Sequence, residues 1–386
     1  MGCPASDFQE VNNPSTGEQS LCISFPVCAL IGVLCRTISK LVIKTNHPGK
    51  PILILFAAVV VLFLINISLG SVKIPPSAVF STLTGQSQDS TWTDILWHFR
   101  LPKAVTCILA GAALASGGLM MQTLFRNPLA GPDVLGLSSG ASLLVAIVIL
   151  ASRSGSVLLL HVSTNPWSVA LAASTGSILV FLLVIGLAQR VSDNVSLLIV
   201  GLMISATASA MVSILQFLSK ADDLQAFMIW TLGSVGGTAW REIQVLAFVL
   251  LIGSIMAFRS MKSLNAWLLG ENYAQSLGIN IKRSRFWIVL STSLMAGSVT
   301  AFCGPIAFVG LAVPHLVRLL INTSNHKILL PAVMLGGASL ILLCDILAQL
   351  PGSTQILPLN AVTSLIGAPV VIWVVMRARG AVIGNR

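Results

Sequence analysis

One stretch of this chain largely decides its fold. Residues 100–141 read RLPKAVTCILAGAALASGGLMMQTLFRNPLAGPDVLGLSSGA. An apolar helix rich in Gly and Ala meets a polar break at residues 126–128, and the chain then returns to apolar sequence through residues 131–136. The bilayer core contains no water to hydrogen-bond unpaired backbone groups, so such a break must lie at the membrane surface or against protein. Small residues let neighbouring helices approach closely. The stretch therefore predicts a tightly packed bundle with a route through it, rather than a simple anchor.

The composition places the rest of the chain in a membrane as well. Hydrophobic residues make up 55% of the 386 residues and charged residues only 9%, whereas a soluble domain has about a quarter charged residues. Apolar stretches of about 20 residues, the length that crosses a bilayer, recur along the chain. We predict an all-α polytopic membrane protein with about ten transmembrane helices, near 51–69, 102–125, 134–151, 166–188, 195–218, 242–258, 285–303, 306–320, 329–349 and 359–376.

Positive charge sets the expected orientation. The formal net charge is +10, which in a soluble protein would suggest nucleic acid. The basic residues cluster at helix ends instead, so no nucleic-acid partner is expected. With both termini in the cytoplasm, 16 of the 22 Lys and Arg residues lie on the inner side, as the positive-inside rule requires.

The chain divides into two parts of unequal character. Residues 1–50 are polar at first and then moderately apolar, interrupted by Pro26, Arg36 and Lys40, and we expect a cytoplasmic or interfacial extension. Residues 51–380 form the ten-helix domain. A small-residue helix, a break and a Gly-led helix occur at Gly111–Ala141 and again, in the opposite direction, at Ala296–Arg318. This echo suggests an inverted-repeat bundle, although chance similarity among Gly/Ala-rich helices explains it equally well.

No catalytic constellation is present, so the chain is not expected to be an enzyme. The five histidines are far apart, and the HExxH motif, the nucleophile elbow and the Walker A loop are all missing. The seven cysteines form no CxxC pair, so no metal site is expected. Asp345 is the one acid deep in an apolar run, and two roles remain open for it, a structural bond to a neighbouring helix or a proton relay.

The cytoplasmic loop at residues 263–285 is the next distinctive feature. It reads SLNAWLLGENYAQSLGINIKRSR, a short helical stretch between Gly270-Glu271 and Gly278. An acid near a helix start favours the dipole, and Gly suits a left-handed C-cap. Such a compact element is suited to docking another protein, and an ordinary capped connector is the alternative.

Several stretches resemble the FecCD family, the permease subunits of ATP-binding-cassette (ABC) importers for ferric siderophores, haem and vitamin B12. They are the opening stretch, WTLGSVGGTAW at 230–240, GENYAQSLGI at 270–279, GPIAFVGLAVPHLVRLL at 304–320 and LIGAPVVIWVVMR at 365–377. The resemblance implies a fold like that of the vitamin B12 importer permease, in a bacterial cytoplasmic (inner) membrane. It also implies a dimer of permeases, a homodimer in the simplest case, surrounded by membrane lipid, with the substrate pathway at its interface.

The resemblance further assigns partners and contact residues. Two cytosolic ATPase subunits, which carry ATP-Mg, would dock on Gly270, Glu271, Asn272, Tyr273, Ala274, Gln275, Ser276, Leu277 and Gly278; no cofactor is expected on this chain itself. An extracytoplasmic substrate-binding protein would meet Arg100 and Lys103, whereas Gln349 stands where several relatives carry another Arg. Candidates for lining or packing the pathway are Met120, Met121, Gln122, Asn127, Pro128, Gly136, Gly304, Pro305 and Pro314.

The function expected from these features is import of an iron chelate (siderophore or haem) or cobalamin into the cytoplasm. Two alternatives remain, an ion-coupled secondary transporter that works alone and a non-transporting membrane scaffold. The match of the loop at residues 270–279 favours the ABC importer, because neither alternative needs a docking site for an ATPase.

The charge pattern makes a direct prediction about topology. In a variant freed of its native cysteines, Ser87→Cys lies outside the cell and Asn280→Cys lies inside. An impermeant maleimide added to intact cells should label the first cysteine and spare the second until the membrane is opened. Labelling of Asn280→Cys in intact cells would contradict the orientation.

Overall fold

The computed structural model describes residues 49–70, 74–75, 79, 81–82, 90–150, 166–188, 194–349 and 356–383. Within these ranges nearly all of the backbone is helical. The extension expected at residues 1–50 lies outside the described residues except for its last two, Gly49 and Lys50, which begin the first helix instead.

The described residues form fourteen α-helices, which we number in chain order. They are α1 (Gly49–Ser68), α2 (Ser90–Ile95), α3 (Leu101–Leu124), α4 (Leu137–Leu150), α5 (Pro166–Ala188), α6 (Asn194–Leu218), α7 (Ala221–Thr231), α8 (Trp240–Arg259), α9 (Met261–Trp267), α10 (Glu271–Ser276), α11 (Ile281–Cys303), α12 (Val309–Ile321), α13 (His326–Ala348) and α14 (Leu359–Ile383). A π-helical turn at Leu96–Arg100 joins α2 to α3, and a 3₁₀ turn at Pro132–Leu135 precedes α4.

The helices confirm the predicted all-α membrane fold. Seven of the described helices are long and apolar enough to cross a bilayer, namely α1, α3 with the turns before it, α5, α6, α8, α11 and α13. Three shorter apolar helices, α4, α12 and the first part of α14, complete the set. Each of the ten segments predicted from hydropathy overlaps one of these helices.

Two of the predicted spans are shorter than expected. The segments predicted at 134–151 and 306–320 contain helices of only 14 and 13 residues, α4 and α12. At 1.5 Å per residue such helices are about 20 Å long, less than the roughly 30 Å of the hydrocarbon core. Each follows an irregular stretch, so the remaining depth is covered by non-helical backbone. The inverted symmetry suggested for these two regions stays a prediction.

The irregular backbone before α12 finds its hydrogen-bond partners inside the bundle. The amide of Ala307 donates to the Asn360 side chain at 3.0 Å, and the amide of Ser234 donates to the carbonyl of Cys303 at 2.8 Å. Gly304 has φ +72 and lies against the backbone of Trp230 and Gly233, where a Cβ would approach the Trp230 carbonyl to 2.6 Å. Non-helical backbone is tolerated at membrane depth when protein covers it in this way.

Helix α3 is the centre of the bundle. In its helical run, 78% of the most apolar 18-residue stretch is buried. Its glycines allow backbone-to-backbone contact with two neighbours. A Cβ on Gly111 would lie 2.2 Å from the carbonyl oxygen of Gly337 in α13, and one on Gly118 would lie 1.9 Å from that of Gly310 in α12. The small residues of the opening stretch therefore serve close helix packing, as the sequence predicts.

A single methyl group tests this packing. We expect Gly118→Ala to lower the free energy of unfolding by about 1–3 kcal/mol, because overpacking forces backbone shifts. The apparent melting temperature of the detergent-solubilised protein, read by fluorescence-detected size exclusion, should fall. The control is Gly186→Ala in α5, where no atom lies within 4 Å of the added Cβ and Ala favours the helix. Equal melting temperatures for the two variants would refute close packing at Gly118.

Candidate functional site

A buried ion pair connects three helices at the end of the bundle that the charge pattern assigns to the outside. The Nζ atom of Lys103 in α3 lies 2.9 Å from Oδ1 of Asp345 in α13. The other carboxylate oxygen accepts hydrogen bonds from Asn66 in α1 and from Gln349, both at 2.8 Å. Asp345 is only 3% exposed, so its charge is stable there only because each oxygen has a partner.

Arg100 occupies the same region and holds the end of α1. Its Nη1 atom donates to the carbonyl oxygens of Ile67 and Ser68 at 2.9 and 3.0 Å. The last carbonyls of a helix have no partner within the helix, and a cation is favoured near them by the helix dipole. Arg100 is 8% exposed, and its guanidinium therefore caps α1 from within the bundle.

These contacts differ from the exposed basic pair that the sequence leads us to expect. Arg100 and Lys103 both point inward, because α1 supplies free carbonyls and α13 supplies a carboxylate at the same level. Gln349 also bonds to Asp345. A binding-protein contact at this pair stays a prediction, and in this structure both side chains are committed to internal partners.

At the opposite end, the loop at residues 263–285 forms a compact element around α10. Gly270 at φ +111 precedes the helix, and Gly278 at φ +79 follows it in the left-handed conformation that the sequence predicts. Leu269, Tyr273 and Leu277 are all more than half exposed. Between them, Ala274 is buried. The element therefore presents a short, mainly polar helix outward, with an exposed leucine and a glycine at each end.

Side-chain contacts fix this element to the long helix α11. The indole Nε1 of Trp267 donates to Ser284 Oγ at 3.0 Å, and Arg285 lies 3.4 Å from Glu271. Asn280 caps α11 by accepting from the amide of Arg283 at 3.0 Å. Because Trp267 is fully buried, its contact with Ser284 holds the loop element firmly against α11.

A second contact leads from this element to the core, through a residue that sequence reasoning missed. His326, at the start of α13, is fully buried. One ring nitrogen lies 2.9 Å from Thr123 Oγ1 in α3, and the other lies 2.8 Å from Asn265 Oδ1 in α9. The ring therefore connects the loop at residues 263–285 with α3 and α13. Its only signal in the sequence was a polar residue at a helix start.

The pathway candidates do not converge on one site. Met120 and Met121 are fully buried in α3, which is the packing role left open for them. Gln122 donates to the carbonyls of Gly310 and Leu311. The remaining candidates lie at turns or helix contacts: Asn127 accepts from the amide of Leu129, Pro128 is exposed, Gly136 has φ +78 beside α6, Gly304 and Pro305 lie against Gly233, and Pro314 is buried within α12.

A cavity that sequence reasoning also missed opens between α4, α6 and α7. It has a volume of about 310 Å³. Its lining consists of Ser138, Ser139, Ser142, Ser209, Val212, Ser213, Gln216, Phe227 and Thr231. The i, i+4 spacing of the serines in α4 and α6 was visible in the sequence, but only the packing of the two helices brings them together.

Comparison with known proteins places these features in a family. A model of the FecCD transport family matches residues 58–377. The chain belongs to the FecCD transport family. It is 34% identical over 320 residues to the hemin transport system permease protein HmuU of Yersinia pestis, covering 82% of this chain and 94% of that protein. It is 36% identical over 321 residues to the vitamin B12 import system permease protein BtuC of Klebsiella pneumoniae, covering 83% and 91%.

Structural similarity agrees with the sequence relationship. A solved chain described as an inward-facing conformation of a "metal-chelate type ABC transporter" superimposes with a TM-score of 0.74 and 26% identity, covering 85% of this chain and 99% of that one. Like its FecCD relatives, the chain is an ABC permease subunit for transport and not an enzyme, since ATP hydrolysis in this family belongs to a separate subunit. The FecCD match begins after the extension predicted at residues 1–50.

The buried pair of this FecCD protein can be tested by a double-mutant cycle. We expect Lys103→Met and Asp345→Leu each to cost about 3–5 kcal/mol, or to prevent stable expression, because each leaves the partner charge buried alone. The double variant Lys103→Met/Asp345→Leu should recover much of that loss, since no charge remains. Thermal unfolding in detergent measures all three. Purely additive losses would show that the two residues do not interact.

Proposed function

We propose that this chain is the membrane-spanning permease of an ABC importer that carries a metal chelate, haem or cobalamin into the cytoplasm. The observation that carries the proposal is α10, a short exposed helix between two glycines of positive φ, Gly270 and Gly278. The Arg285–Glu271 contact holds α10 to α11, and the Trp267–Ser284 contact holds the preceding α9 to it. A surface helix flanked by the exposed side chains of Leu269 and Leu277 suits a protein partner, and the family match supports an ATPase as that partner.

The mechanism follows from how α10 is held. The closing of two ATPase subunits around ATP-Mg pushes on the face made by Tyr273 and Leu277. The contacts to α11 pass this displacement to the membrane helices, and His326 passes it through α9 to α3 and α13. The route for the cargo changes its opening as these helices shift, and the chain itself binds no cofactor. Both termini lie in the cytoplasm in this arrangement.

A complete transporter in this proposal has two copies of the permease, two ATPase subunits and one extracytoplasmic binding protein. Helix α6 supports the need for a second copy. Only 17% of its most apolar 18-residue stretch is buried within the chain. The binding protein rests on the outer rim near α2 and α3. Arg100 and Lys103 support that rim by holding α1, α3 and α13 together, and would meet the partner only by leaving their internal contacts.

The ion-coupled alternative is disfavoured by the contacts of Asp345. A relay carboxylate must gain and lose a proton during transport. Here the carboxylate is held by Lys103, Asn66 and Gln349, and its protonation would leave the Lys103 ammonium without its counter-ion. The arrangement suits a structural contact, which was the other role open to Asp345.

The proposal is tested at Gly278. No atom lies within 4 Å of a Cβ added there, so Gly278→Val acts through its φ of +79, which a β-branched residue adopts only with strain. In a complex co-expressed with its ATPase and binding protein, we expect at least a fivefold loss of ATP-dependent uptake, with the ATPase subunits lost on purification.

Gly278→Asn is the matched control, because Asn tolerates the left-handed conformation and should keep most of the uptake. Both variants should insert into the membrane at normal levels. Full uptake and an intact complex with Gly278→Val would reduce α10 to a connector and remove the main support for the ATPase partner.

A further inference from the structure

Helix α12 contains a buried proline that removes one hydrogen bond from its own backbone. Pro314 lies within the helix and is buried. Because proline has no amide hydrogen, the carbonyl of Gly310, four residues earlier, receives no bond from position 314. Pro331 and Pro369 also lie within described helices, α13 and α14, but both are only half-buried. Pro314 therefore opens the backbone of α12 in the packed interior of the bundle.

A side chain from α3 takes the place of the missing amide. The Nε2 atom of Gln122 donates to the carbonyl oxygens of Gly310 and Leu311, at 3.3 and 3.2 Å. Gln122 is 3% exposed. No described side chain donates to the carbonyls four residues before Pro331 and Pro369. The opened backbone of α12 is thus paired from outside its own helix, as a buried carbonyl requires.

The same amide also holds the part of α12 that follows the proline. Its Oε1 atom accepts from Nη1 of Arg318 at 3.4 Å. The two carbonyls need a donor and the guanidinium needs an acceptor, so all these contacts fix one orientation of the Gln122 amide. Gln122 therefore binds α12 on both sides of Pro314.

The two sides of the proline differ in how they are held. In the first half of α12, residues 309–313, Gly310 contacts the backbone of Gly118 in α3 so closely that neither accommodates a Cβ. The second half, residues 315–321, begins with His315, whose buried Nδ1 atom has no hydrogen-bond partner among the described residues. Buried polar atoms are normally paired. The second half therefore leaves one bond unused in its present position, whereas the first half is fixed.

Both ends of α12 have unusual backbone conformations. Phe308 before the helix has φ +67, and Asn322 after it has φ +49. They are two of the three residues other than glycine with positive φ in the part of the chain that the structure describes. Such a conformation is strained for a bulky residue such as Phe, and strain of this kind clusters at segments that switch between arrangements.

We propose that the second half of α12 turns about Pro314 during the transport cycle, and that Gln122 is the positioning residue that sets its resting place. The inference rests on the proposed transport function. At rest, the Gln122 amide bonds to both halves of α12. During the cycle its contact with Arg318 breaks and the second half turns, while the carbonyls of Gly310 and Leu311 keep their bonds to Nε2.

The turn is coupled to the α10 end of the bundle through the residue beside Gln122. Thr123 bonds to His326, and His326 bonds to Asn265 of α9. A movement of the loop at residues 263–285 therefore reaches α3 one residue away from the amide that holds α12. Proline within a helix is a common site of bending, so the movement is taken up at position 314.

Removing the proline tests whether α12 must bend. Pro314→Ala supplies an amide that bonds to Gly310, so α12 becomes a continuous helix. In proteoliposomes with the complete complex, including its ATPase and binding protein, ATP-dependent uptake should fall about fivefold because the hinge is lost. Complex assembly and melting temperature should not fall. The probes are ferrioxamine B, cyanocobalamin and haem.

Pro331→Ala in α13 is the matched control, since it removes a proline from a helix in which no described side chain replaces the missing bond. It should keep uptake within about twofold. Equal uptake by Pro314→Ala and Pro331→Ala would show that α12 need not bend and would overturn the inference.

Gln122→Met removes the amide and largely keeps the shape of the side chain. The Gly310 carbonyl is then unpaired, so the melting temperature should fall. The number of ATP molecules hydrolysed per imported molecule should rise about threefold, because nothing returns the second half of α12 to its resting place. A purely structural residue would lower the melting temperature and leave this ratio unchanged, and that result would overturn the role of Gln122.

The double variant Gln122→Met/Pro314→Ala separates pairing from positioning. The amide at position 314 now pairs the Gly310 carbonyl, so the melting temperature should recover. Uptake should stay about fivefold low, since the continuous helix does not bend. Recovery of uptake together with stability would mean that Gln122 only pairs a carbonyl, and would overturn the inference. If the unmodified complex imports none of the three probes, the proposed function fails first, and the inference fails with it.

Discussion

The bilayer core supplies no hydrogen bonds, so every irregular stretch of this chain must find its partners inside the bundle. Two of the membrane segments, those of α4 and α12, are too short to cross as helices alone. The backbone before α12 is therefore covered by α7, by the loop after it and by the Asn360 side chain. Such cover requires neighbouring helices to approach each other closely, and the glycines of α3 allow this approach.

The same constraint explains the charges at the end of the bundle that contains Asp345. A carboxylate and an ammonium in the bundle are stable only as a pair with further hydrogen bonds, and Asp345 has three such partners from three segments. Arg100 meets the carbonyls that end α1. Arg100 and Lys103, which the resemblance to the family assigns to an external contact, are in this structure part of the internal framework.

The two ends of the described bundle differ in exposure. The end with Asp345 and Arg100 is held by buried polar contacts, whereas the opposite end presents an exposed helix, α10. Between them, α3 contacts α12 and α13 through glycine and contacts the α10 end through His326. Such an arrangement lets a displacement at α10 reach the centre of the bundle, while α6 remains largely uncovered by its own chain and borders the hydroxyl-lined cavity.

Local pattern determined much of this structure from the sequence alone. Apolar length located all ten membrane segments, and the glycines at 270 and 278 defined α10, because helix ends depend on residues within a turn of each other. The small residues of α3 indicated close packing. The family relationship followed from motifs that are themselves local.

Only the tertiary structure decided which groups meet. Asn66 and Asp345 are 279 residues apart, and nothing near either residue indicates the other. The inward direction of Lys103, the link through His326 and the cavity lined from α4, α6 and α7 all depend on which helix faces come together. Hydropathy specifies that a helix crosses the membrane, but the face it turns to its neighbours follows from packing and from pairing of buried polar groups, which no single segment contains.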